Sequence, residues 1–103
     1  MKDKYLSYIG LAIKAGKCKM GSYACESEIL YGKPRVVICS SMASERTVKK
    51  FEGLCTKINV PFLTVDDDMA QIGGIGTYLY CVTDKNLAEA IISNAAKDNH
   101  NSN

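Results

Sequence analysis

Tyr5, Leu6, Ile9, Ala12 and Ile13 recur at helical spacing, so 3–15 reads as an amphipathic helix stopped at Gly16. A short segment, 17–20, leads into Gly21 and Ser22. Ser22 is the expected N-cap of a second helix with Cys25, Ile29 and Leu30 on one face and Gly32 at its end. A β-branched run, 35–39, then suits a strand covered on both faces. Cap candidates at 40–44 precede a third helix striped by Val48, Phe51, Leu54, Cys55 and Ile58, which Asn59 ends in the left-handed conformation. Strands follow at 60–65 and 77–82. Between them lies a short helix opened by Asp66, Asp67 and Asp68, containing Met69 and Ile72 and stopped by Gly73 and Gly74. Thr83 or Asp84 caps a last helix with Leu87, Ile91 and Ala95 aligned.

Helices alternating with apolar strands predict an α/β fold, a three-layer α/β/α sandwich around a sheet of about four strands. The pattern gives no strand order. One domain is expected over 1–96. The polar stretch 97–103 offers nothing to bury and reads as a disordered tail.

Composition narrows the class. Of 103 residues, 47% are apolar and 23% charged, an ordinary globular balance. There is neither an apolar run long enough to span a membrane nor a secretory pattern at the N-terminus, so a soluble cytoplasmic protein is expected. Five cysteines without a Cys-x-x-Cys pair suit reduced thiols used as small hydrophobes. Net charge is only +2, but residues 1–50 hold ten Lys or Arg against four Asp or Glu, whereas 51–103 hold three against seven. That asymmetry predicts one basic and one acidic face, unless sequence halves do not map onto faces.

Candidate chemistry points away from catalysis. The single histidine, His100, lies in the expected tail, where no scaffold would hold it against a nucleophile. The Asp66–Asp68 run reads as helix-capping charge rather than a metal site, since no further ligands follow at the spacing of a calcium loop. Gly73, Gly74, Ile75 and Gly76 run from helix to strand, the reverse of a phosphate-cradling loop, and read as a turn whose apolar tip can lie against an exposed base. No cofactor is expected.

The stretch 14–23 carries the strongest signal. It joins Lys14, Lys17 and Lys19 to a glycine turn at Gly21 and to the amino end of a helix at Ser22 and Tyr23. Lysines neutralise phosphates, helix-end amides accept them, and a tyrosine stacks on a base. Lys33 and Arg35 are expected at the same end of the sandwich, with Arg46 at the start of another helix. The plainer alternative is a solvated lysine face with Tyr23 in the core.

The ordered motifs resemble a known family. A first helix ending Ile-Lys-Ala-Gly-Lys17, Gly21 before a helix, Val36-Val-Ile38 followed by Ala43-Ser-Glu-Arg-Thr-Val-Lys-Lys50, Asn59-Val-Pro-Phe62, Met69 to Gly74 and Cys81-Val-Thr-Asp84 are similar to the kink-turn RNA-binding ribosomal protein family. This is the archaeal/eukaryotic large-subunit superfamily, in its small bacterial YlxQ-like branch. The resemblance implies a four-stranded mixed sheet, no enzymatic activity and recognition of sharply bent RNA. The helix after Gly21 would contact sheared G·A pairs, and the apolar loop at Ile75 would pack near the kink. The asparagine and glutamate that read G·A pairs in typical members fall at Tyr23 and Ala24, and the following lysine at Ser27. A tyrosine and an alanine supply neither that pair of donors nor a carboxylate. The expected partners are structured RNA, ribosomal or otherwise bent, and ribosomal proteins. The rival readings are a protein-interaction module that keeps the fold without specific RNA binding, and a small-molecule enzyme with an unrecognised pocket.

Overall fold

The computed structural model describes the backbone of residues 4–66, 69–74 and 76–101, and the side chains of these except 70, 71 and 97–101. The elements run α1 (Lys4–Lys14), β1 (Cys18–Met20), α2 (Ser22–Tyr31), β2 (Val36–Ser40), α3 (Glu45–Ile58), β3 (Phe62–Val65), α4 (Ala70–Gly73), β4 (Leu79–Val82) and α5 (Lys85–Asn101). The sheet order is β1-β4-β2-β3. β4 is antiparallel to both β1 and β2, and β2 is parallel to β3, which makes the expected mixed sheet.

β2 and β4 are the central strands, and every residue in them is buried. Their side chains alternate between two cores. Val36, Ile38, Tyr80 and Val82 pack with Tyr5, Ile9 and Ala12 of α1 and Ala88, Ile91 and Ala95 of α5. Val37, Cys39, Leu79 and Cys81 pack with Cys25 and Ile29 of α2 and Phe51 and Cys55 of α3. This is the three-layer sandwich, and it explains why the two strands lack polar alternation. Truncating one of the large core side chains to alanine costs about 2–5 kcal/mol.

Local signals set the helix ends. The Ser44 side chain accepts a hydrogen bond from the Thr47 amide at 3.1 Å, so Ser44 caps α3, and Asn59 closes it in the left-handed conformation at φ 60, ψ 44. Asp84 caps α5 by accepting from the Leu87 amide at 2.9 Å.

Three expectations change. The connector 17–20 contains an edge strand, β1, whose three residues carry no β-branched signal. The N-cap of α2 is Gly21 rather than Ser22, and no side chain caps that helix. Helix α5 runs on to Asn101, into the segment read as a disordered tail, because a helix already nucleated gains one hydrogen bond for each residue added. Of the aspartate run, Asp66 is exposed after β3, and Asp67 and Asp68 lie outside the described residues.

Candidate nucleic-acid interface

Strand directions divide the candidate residues between two ends of the sheet. At one end the Gly21 amide donates to the Leu79 carbonyl (2.9 Å), the Ser40 amide to Tyr78 (2.8 Å) and the Ser41 amide to Val65 (2.8 Å). Gly21, Ser22, Tyr23 and, in the first turn of α3, Arg46 therefore share this end. Ile75, expected here as the apolar kink contact, lies outside the described residues.

At the other end the Lys17 carbonyl accepts from the Thr83 amide (2.9 Å) and hydroxyl (3.2 Å), and the Arg35 amide donates to Val82 (2.9 Å). Lys14 in the last turn of α1, Lys17, Lys33 and Arg35 are all exposed there. The single lysine-rich turn read from the sequence is thus two places, joined by β1. From Lys17 to Gly21 the strand rise of ~3.3 Å per residue gives a separation of about 13 Å. Lys19, exposed on this edge strand, stands between them.

The first end has a built geometry. Gly21 has φ 93 and ψ 161, a combination open to glycine alone, and it turns the chain from β1 into α2. No side chain makes a capping hydrogen bond at the helix start, which leaves its first-turn amides without that partner and suited to an anion. Tyr23 is 89% exposed, which excludes a core role and leaves its ring free to stack. Behind this surface the buried Tyr80 hydroxyl lies 3.1 Å from the carbonyls of both Met69 and Thr77, and the Thr77 hydroxyl donates to the Gly73 carbonyl at 2.9 Å. These bonds anchor both flanks of position 75.

The second end is more basic than the sequence alone suggests. Lys57 in the last turn of α3 and Lys85 at the start of α5 are exposed there too, because α3 runs toward this end and α5 away from it. Among the described residues the ion pair is Lys50–Glu26 at 2.9 Å, and none of these cations pairs with a carboxylate of those residues. Near Gly21 the structure also adds the exposed apolar side chains Met20, Met42 and Tyr78. Residue type alone gives no signal for them, since each is equally at home in a core.

Among the described residues the thiols are not arranged for nucleophilic chemistry. Burial pushes the thiols of Cys18, Cys39 and Cys55 up to about 11 and that of Cys81 to about 12. Burial raises Cys25 further, with neighbouring thiols adding to the effect. All five are free and stay protonated near neutrality. Among the described residues no group of His, Cys, Asp or Glu is arranged to hold a metal, and no helix is long and apolar enough to cross a membrane.

Residues 3–92 match the ribosomal protein L7Ae/L30e/S12e/Gadd45 family. Among solved structures the chain is similar to a protein of unknown function from Bacillus halodurans C, at 26% identity over 89% of this chain and 96% of that one, with a TM-score of 0.82. It is also similar to the Giardia lamblia 15.5kD RNA binding protein, at 14% identity over 90% of this chain and 88% of that one, with a TM-score of 0.75, a likeness of fold. No curated protein matches.

Proposed function

This chain belongs to the ribosomal protein L7Ae/L30e/S12e/Gadd45 family, whose members are RNA-binding and noncatalytic, and from that premise we propose that it binds structured RNA along the β1 edge and the start of α2. The observation that carries this reading is Tyr23, almost fully exposed at an uncapped, glycine-turned helix start with Lys19 on the strand leading into it. The α2 amides and Arg46 receive phosphates at that end, and Tyr23 stacks on an unpaired base. Lys14, Lys17 and Lys33 meet the backbone of the same RNA about 13 Å further along the edge. Ile75 is assigned the apolar contact near the bend.

Affinity in this arrangement comes from backbone charge and stacking. The groups that pair with sheared G·A bases in the resembling kink-turn binders are replaced by Tyr23, Ala24 and Ser27, so this protein binds bent RNA without reading those pairs. The reading extends to a ribonucleoprotein setting in the cytoplasm, with ribosomal RNA and ribosomal proteins as neighbours.

A gel-shift titration with a kink-turn RNA, the same RNA with its G·A pairs disrupted, and an unbent duplex tests this. Binding to the first two with similar affinity, and more weakly to the duplex, is the expected result. Strong preference for intact G·A pairs overturns the specificity assignment. Absence of binding to all three at low salt overturns RNA binding and favours an interaction module.

A further inference from the structure

The outer face of α2 carries an exposed stripe of which RNA binding uses only Tyr23. Tyr23 and Tyr31 are 89% and 85% exposed, and Leu30 between them is 54% exposed, although Cys25 and Ile29 on the opposite side are buried. Tyr23, Glu26, Ser27, Leu30 and Tyr31 line an open groove of about 360 Å³. The first four stand at i, i+3, i+4 and i+7, the four-residue diamond that receives a knob from a facing helix. Ser27 is the smallest side chain of this lining, and the half-exposed Leu30 is itself an aliphatic knob.

We propose that this groove is a homodimer interface in which α2 of a second copy lies antiparallel across it and seats its Leu30 over Ser27. Because hole and knob belong to one stripe, a two-fold axis satisfies both at once, as an isologous interface requires. The same placement brings the second copy's Tyr31 hydroxyl toward Glu26. Charge favours a protein occupant over a nucleic acid. α2 has no lysine or arginine, so nothing on the stripe neutralises a phosphate. Its two carboxylates are already engaged, Glu26 with Lys50 at 2.9 Å and Glu28 with the Lys33 amide at 3.0 Å. The two tyrosines and Leu30 offer roughly 400 Å² per copy, about half of the ~800 Å² per partner of a standard interface. That area fits a weak, concentration-dependent dimer. On the RNA reading proposed above, Tyr23 is shared, so dimerisation withdraws it from RNA.

Sedimentation velocity of the full chain without RNA, from low-micromolar to high-micromolar concentration, tests the dimer alone. The expected result is a sedimentation coefficient that rises toward the dimer value, with Leu30→Asp and Tyr31→Ser each holding the protein monomeric. Unchanged circular dichroism establishes folding, since both side chains are exposed. Ser27→Trp, which fills the groove, has the same effect. A wild-type protein that stays monomeric throughout, or a dimer that survives all three substitutions, overturns the proposal and leaves the RNA reading standing. Failure of RNA binding in the gel shift likewise leaves this dimer untouched.

Discussion

Replacing Gly21 by alanine isolates a backbone effect at the start of the interface. A Cβ built there meets nothing within 4 Å, so the substitution introduces no steric overlap. The cost lies in φ 93 with ψ 161, a region in which non-glycine residues are strained by about 1–3 kcal/mol. The chain can escape that strain only by rotating φ, and rotation pulls the Gly21 amide off the Leu79 carbonyl it now meets at 2.9 Å. Losing that bond costs about 0.5–1.5 kcal/mol, more if the carbonyl is left dry. Either route gives a loss of roughly 1–3 kcal/mol, which for a domain of this size lowers Tm by about 4–8 °C per kcal/mol. Asparagine gives no relief, because the left-handed helical region it tolerates lies near ψ +47° rather than in this extended half. Urea denaturation of Gly21→Ala and Gly21→Asn should therefore show lowered midpoints of similar size with an unchanged slope. An alanine variant as stable as the parent, or an asparagine variant that recovers the loss, would refute the reasoning.

Other changes test the core and the surface. At Gly73 a Cβ overlaps the Tyr80 hydroxyl and lies 2.7 Å from its Cε2 and Cζ, so Gly73→Ala should cost about 1–3 kcal/mol by overpacking. Adding Tyr80→Phe should relieve part of that, giving a less-than-additive double-mutant cycle in chemical denaturation. The buried thiols predict an alkaline limit. The folded state keeps protons that the unfolded chain releases, so stability is full below a thiol's ordinary value near 9 and falls as pH rises toward 11, and Cys→Ala variants should soften that fall in pH-dependent melts. By contrast, Lys50→Met should shift stability by less than about 1 kcal/mol, since its pair with Glu26 has side chains 52% and 35% exposed.

Particular residues show what was legible in advance. α3 could be placed because its apolar stripe runs to Asn59, and Asn tolerates the left-handed cap it adopts. β2 and β4 could be placed because strands covered on both faces are continuously apolar. β1 could not, since Cys18, Lys19 and Met20 form an edge strand held by pairing to β4, a partner some sixty residues away. That omission merged Lys17 and Tyr23 into one turn, when β1 sets them at opposite ends of the sheet. Tyr23 itself was ambiguous because α2 carries tyrosines and a leucine on its solvent face, which blurs the periodicity that separates core from surface.

Whether RNA lies along β1 is examined most directly by the salt dependence of binding. Fluorescence anisotropy with a labelled kink-turn RNA over a range of salt concentrations gives the slope of log K against log salt. In the Lys17→Ala/Lys19→Ala double variant the slope should shrink by about 0.7–0.9 for each phosphate no longer neutralised, with weaker binding at every salt concentration. An unchanged affinity and slope would show that the edge strand does not touch RNA, and would contradict the proposed interface.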